Sequence, residues 1–200
     1  ALNNGWRAMA RPSADFAARD VSDTAWAEVR LPHNPIDLPL ANFDPGLYRF
    51  ATGYRRWLPH NPDWEGRRVF LAFEAVMARA EVWINGQLVL EHRGGYTPFE
   101  VEIPPADLAR GDVLLAVLAD AEEDPRIPHF GHAVDYLTYG GMYREVRLEL
   151  RAPVHVRTLS LETALSAQPF VRGRLWIDHG PEPAGVMPPS LVDIEVYGPE

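Results

Sequence analysis

Apolar residues recur at every second position in several short stretches of this chain, the period of a half-buried strand rather than of a helix. The clearest run is Ala80, Val82 and Ile84, which Asn85-Gly86 joins to a further strand, Gln87 to Glu91. A type I′ turn needs positive φ at both central residues, which asparagine and glycine tolerate best, so this pair predicts a hairpin. Val69 to Phe73, Tyr54 to Leu58, Glu100 to Ile103 and Tyr143 to Arg151 predict further strands, the last with Val146, Leu148 and Leu150 inward. Trp26 to Leu31 alternates until Pro32-His33-Asn34-Pro35 stops it, because neither proline can donate to a ladder. Val113 to Leu118 is apolar at both parities, which predicts a central strand buried between layers. Pro104 to Ala109 predicts one helical turn, stopped by Gly111. Trp6 is expected to be buried from an edge strand, and Trp64 to cap the core. The pattern is all-β.

Between these strands lie stretches without period. Ser13 to Thr24 reads as a polar excursion with one helical turn, and Ile36 to Gly53 and Ala121 to Gly141 read as long loops. Long loops in a compact domain are often functional, so Asn42, Phe43 and Asp44 are candidate ligand contacts beside the plainer reading of a solvated turn. His129 and His132 stand three apart with no third ligand at suitable spacing, so neither a metal site nor a cofactor is expected. His92 is expected to pack neutral beside Tyr96. Gly94-Gly95 and Gly140-Gly141 are read as points of close backbone approach, and Arg144 as the partner of a buried carboxylate or of carbonyls beneath the sheet. Beyond Ala152, Val154 and Val156 share one parity while Leu159 and Leu161 share the other. A strand through all four needs a bulge or a passage between domains, and the passage is favoured. Val171 to Ile177 and Leu191 to Tyr197 are two more strands, too few for a closed sandwich, so the chain is expected to divide into residues 1–152 and a truncated unit, 153–200.

Composition narrows the partners. An apolar fraction of 46% suffices for a packed core, and a net charge of −9 opposes non-specific nucleic-acid binding. Without cysteine there is no disulfide, thiolate metal site or thiol nucleophile. Neither a basic-then-apolar leader nor a membrane-length apolar run occurs, so a soluble chain with no membrane partner is expected. The compartment stays open, with the cytoplasm favoured over secretion.

The segments LPHNP (Leu31 to Pro35), GYRRWLP (Gly53 to Pro59), WEGRRVFLAFEAV, AEVWINGQLVLEHRGGYTPFEVEI (Ala80 to Ile103), LLAVLAD and YGGMYREVRLEL (Tyr139 to Leu150) follow one another in order. Their order and spacing resemble the amino-terminal part of glycoside hydrolase family 2, which holds β-galactosidases, β-glucuronidases and β-mannosidases. The resemblance implies a jelly-roll β-sandwich of the galactose-binding-domain type over 1–152, then the first strands of an immunoglobulin-like β-sandwich. It also implies that the catalytic glutamates belong to a later TIM barrel, one of them directly after an asparagine; this chain has no Asn-Glu dipeptide, so no catalytic residue is expected in it. Asp135, six residues before Gly141, stands where β-galactosidases of the family place a carboxylate on the sugar ring; Asn42 is the nearest match to its companion asparagine. The implied partners are a β-glycoside substrate, the barrel of the same polypeptide and, in some members, further copies of the chain. Three roles are compatible with this: a non-catalytic part of a glycosidase, a free-standing carbohydrate-binding module, or a purely architectural and oligomerisation domain.

Overall fold

The computed structural model describes residues 1–36, 49–127, 140–165 and 170–180. Asn42, Phe43, Asp44, His129, His132 and Asp135 lie outside the described residues, as does the predicted strand from Leu191 to Tyr197. The chain separates into two compact units, Ala1–Ala152 and Pro153–Glu200.

The first unit is a two-layer β-sandwich. Its strands are β1 (Trp6–Ala10), β2 (Ala27–Val29), β3 (Ala51–Leu58), β4 (Arg68–Phe73), β5 (Arg79–Ile84), β6 (Gln87–Arg93), β7 (Phe99–Glu102), β8 (Val113–Asp120) and β9 (Val146–Arg151), with one helical turn, α1 (Pro105–Leu108). One sheet runs β2-β1-β3-β8-β5-β6 and the other β7-β4-β9, every pairing antiparallel. Alternation puts Tyr54, Val82, Ile84, Leu115 and Val117 on the inner face of the larger sheet, where they meet Val69, Leu71, Phe73, Val101 and Val146 of the smaller one. Trp6 and Trp64 are buried in the same core. Burying large apolar side chains is the main stabilising term, at about 1.5–3 kcal/mol each.

The predicted hairpin forms, with Asn85 at φ 51° and Gly86 at φ 85°. Asn85 has a second role that its turn propensity hides. Its Oδ1 accepts from the Leu114 N–H at 2.9 Å and its Nδ2 donates to Asp107 Oδ1 at 2.9 Å, so one side chain ties the turn to β8 and α1. As predicted, β8 is central and buried on both faces, Val113, Leu115 and Val117 inward and Ala116 outward.

What covers that outward face is the main departure from the sequence reading. Residues 13–26 are not a polar excursion with a helical turn; they form an irregular strap of turns that lays Phe16, Ala17 and Trp26 over Ala116, Trp83 and Leu118. Arg55 fixes it. Only 1% exposed, its guanidinium donates to Asp23 Oδ2 at 3.0 Å and to the carbonyls of Phe16, Ala18 (2.8 Å) and Val21 (2.9 Å). A strap without a ladder leaves its carbonyls short of donors, and one arginine with five N–H donors serves three of them, of which Ala18 also takes the Val21 N–H at 3.3 Å, together with a carboxylate.

Several smaller expectations are corrected. Trp6 lies in a strand flanked on both sides by β2 and β3, so β2 is the edge strand instead. β3 begins at Ala51, inside the stretch read as a loop, because pairing with β8 extends through Asp120. Leu150, at the end of β9, is exposed. Arg144 is exposed and sits over the Tyr143 ring at 5.6 Å rather than on a buried partner. His92 stacks on Phe99, 4.3 Å between centroids, and bonds Thr97 Oγ1 at 3.0 Å.

In the second unit, β10 (His155–Ala164) pairs antiparallel with β11 (Phe170–Asp178). The parity break in β10 is a bulge within one strand, not a passage between domains: register shifts between Val156 and Thr158. The extra residue, Arg157, brings Val156 back to the face of Leu159 and Leu161, opposite Ile177, Leu175 and Gly173. One apolar face results from two parities.

Candidate functional site

The loops that hold Asn42 and Asp135 leave described residues at Ile36 and Ile127 and return to them at Arg49 and Gly140. Their four roots meet in pairs. The first loop's outgoing root meets the second loop's returning root, where His33 N–H donates to the Met142 carbonyl at 2.9 Å. The first loop's returning root meets the second loop's outgoing one, where Arg49 Nη1 bonds Glu123 Oε2 at 2.5 Å and Ala121 N–H reaches the Phe50 carbonyl at 3.4 Å. The sandwich thus holds the bases of both loops at one margin.

The first junction is built from the interior outward. Tyr54 belongs to the inward parity of β3 and is fully buried, edge-on to Trp6 at 6.5 Å. Its hydroxyl lies 2.9 Å from His33 Nδ1 and 3.4 Å from the Met142 N–H. The phenol has one proton to give. With the Met142 N–H donating to its oxygen, that proton is free to go to His33 Nδ1 when the imidazole is neutral and carries its own proton on Nε2. Burial agrees: it lowers the His33 pKa and raises that of Tyr54, in each case by penalising the charged form. Gly141 closes the junction at φ 89°, and a Cβ there would lie 2.5 Å from the Tyr54 hydroxyl and 2.9 Å from the His33 carbonyl oxygen. Met77 N–H bonds the Gly141 carbonyl at 3.1 Å, so β5's approach is locked to the same point. Gly95, the other glycine read as a close approach, faces Met77 Sδ at 2.3 Å from a hypothetical Cβ.

The second junction is electrostatic. Asp124 accepts from the Arg126 backbone N–H at 2.9 Å and from its guanidinium at 2.7 Å, which holds the carboxyl well below the usual carboxylate range. Arg79 bonds Asp120 Oδ2 at 2.7 Å beside it.

The sequence reading pointed at Asn42 and Asp135, which lie outside the described residues, and passed over His33 and Tyr54, which the structure joins. Both were present in quoted motifs. The available signal was a tyrosine at an inward parity, since a buried phenol needs a partner for its hydroxyl. Among the described residues no group of three or more His, Asp or Glu side chains is arranged to hold a metal ion, and no helix is long and apolar enough to cross a membrane.

Comparison with known proteins adds to this geometry. The model of the family "Glycosyl hydrolases family 2, sugar binding domain" matches residues 5–153. A β-galactosidase of Thermoanaerobacterium thermosulfurigenes is 36% identical over 163 residues, 81% of this chain and 23% of the relative. A β-glucuronidase of Bacteroides fragilis is 35% identical over 150 residues, 74% of this chain and 20% of the relative. Among solved structures, a calcium-binding mutant of Bacteroides uniformis β-glucuronidase 2 matches with a TM-score of 0.72 at 29% identity, over 82% of this chain and 20% of that one. The chain therefore spans less than a quarter of the length of these relatives.

Proposed function

We propose that this chain, which belongs to glycosyl hydrolase family 2, is the part of a longer glycosidase that shapes a sugar site without carrying the bond-breaking groups. The observation that supports this most is the extent of the family match: residues 5–153 take in the whole sandwich and all four loop roots. Retaining hydrolysis needs two carboxyl groups about 5 Å apart across the scissile bond on a rigid support, and that pair is assigned to a TIM barrel elsewhere in the polypeptide. Residues 153–200 are read as the start of an immunoglobulin-like domain leading to it. The sugar is read as a β-galactoside, on the likeness to the Thermoanaerobacterium β-galactosidase.

In this reading Asp135 accepts two hydroxyls of the ring, with Asn42 beside it. A carboxylate so used rejects sugars that lack those hydroxyls, because its lone pairs would be buried without donors. The neutral His33–Tyr54 pair then acts as a positioning element, fixing the bases from which both residues reach out.

Asp135→Ala in the longer enzyme is expected to lower kcat/KM for a nitrophenyl β-galactoside about a hundredfold, the loss of two hydrogen bonds to a charged group. Unchanged efficiency would leave the unit an architectural role only. The chain of 200 residues by itself is expected to turn over no nitrophenyl glycoside. Hydrolysis by a preparation free of host enzyme would refute the division of labour.

A further inference from the structure

The strap does not cover the whole outer face of the six-stranded sheet. It crosses at the level of Ala116 and Trp83 and covers only part of the next row, where half-buried Leu118 pairs with Glu81, beside an open cleft. That cleft, about 350 Å3, is lined by Arg11, Phe16, Glu81, Trp83, Leu118 and Glu122. Glu122 also lines a second cleft of about 460 Å3, with Arg79, Asp120, Asp124 and Arg126. The first cleft is a groove on the outer face, on the opposite side of the sheet from the sandwich core; the second borders the loop-root junction already described.

Its chemistry is that of a saccharide rather than of an apolar or anionic ligand. Trp83 stands edge-on to Phe16, 5.0 Å between centroids, which fixes the half-buried indole as a rigid wall next to Leu118. Two of the three arginines are paired, Arg79 at 2.7 Å from Asp120 and Arg126 at 2.7 Å from Asp124, while Arg11, over the Phe50 ring at 4.6 Å, keeps its charge opposite the two carboxylates of Glu81 and Glu122. Glu81 is only loosely paired, 3.8 Å from Arg79, and Glu122 uses its backbone N–H, not its carboxylate, to bond Asp120. The groove thus offers apolar wall and carboxylate acceptors side by side. A pyranose ring presents the complement, C–H faces with an edge of hydroxyl donors, whereas a uronate would bring a like charge against Glu81 and Glu122.

We infer that this groove binds a neutral oligosaccharide, with a ring against Trp83 and Leu118 and hydroxyls donated to Glu81 and Glu122. The ligand class rests on the proposed function; the place does not. Such a groove would hold a polymeric substrate on the enzyme apart from the site that cleaves it.

The test is a 1H–15N titration of this chain with β-1,4-galactotetraose, with tetragalacturonate as the charged control. Millimolar binding of the neutral sugar, read at the Trp83 indole and the Glu81 and Leu118 amides, is expected, and no response to the uronate. Glu122→Ala, an exposed position, should weaken binding about tenfold, and Trp83→Ala by a similar factor. Asp135→Ala should leave it unchanged. Should Trp83→Ala fail to fold, Glu122→Ala decides alone. Absence of shifts at these three positions, affinity untouched by Glu122→Ala, or shifts abolished by Asp135→Ala would each overturn the groove while leaving the loop site standing. An inactive role for Asp135 in the longer enzyme would do the reverse.

Discussion

The two faces of the six-stranded sheet are closed by different means. On the inner face a second sheet meets it, alternation supplies an apolar side chain at every other position, and the backbone groups of the inner strands find ladder partners on both sides. On the outer face an irregular strap does the covering, and its cohesion depends on a buried cation, Arg55, reaching three carbonyls and a carboxylate. Regular closure distributes its stabilisation over many residues of similar weight. Irregular closure concentrates it, since strap carbonyls have no ladder and lose a shared donor together when one side chain is removed.

Replacing Arg55 by alanine is therefore expected to have the largest effect, about 4 kcal/mol, from a carboxylate left with only Arg7 at 3.8 Å and from carbonyls that lose a donor. Hydrogen exchange separates this from general unfolding: amides of 13–26 should lose protection while those of β5 and β8 keep theirs. Uniform loss over both faces would break the contrast. On the inner side Leu115→Ala should cost about 3 kcal/mol through a cavity, and should speed exchange everywhere alike, as read by urea denaturation with exchange at low denaturant. Gly141→Ala comes next. The new Cβ would strike the Tyr54 hydroxyl and adopt an unfavourable positive φ, so a loss of about 2 kcal/mol by thermal melting is expected. In the longer enzyme the same change should raise KM.

The smallest effect concerns pH. His33 is held neutral, with its folded pKa below its ordinary 6.5, so the unfolded chain binds the extra proton first as pH falls. The stabilisation is complete above about pH 6.5 and is lost as pH drops toward the lowered folded value; protonation removes the acceptor that the Tyr54 hydroxyl needs. His92, lowered for the same reason, adds a second slope of the same sign. His33→Asn, which keeps an acceptor near the Nδ1 position, should flatten part of the decline in melting temperature between pH 7.5 and 5.5. An unchanged slope would mean that the junction does not respond to His33.

The alternation of Val82 and Ile84, the apolar run of β8 and the Asn85-Gly86 turn made the sheets, the hairpin and the buried centre legible from the chain alone. The motif order pointed to the family for the same reason, since turns and inward residues recur at fixed intervals in a shared fold. These are local properties: a strand's two faces and a turn's φ angles depend on neighbours a few residues away. The strap over Arg55, the bulge at Arg157 and the junction of His33, Tyr54 and Met142 were decided in three dimensions. Their partners lie 32 residues apart for Arg55 and Asp23, and 88 for Tyr54 and Met142. A polar side chain shows in sequence only that it needs a partner; which backbone groups are left without one, and within reach, depends on how the sheets have already packed.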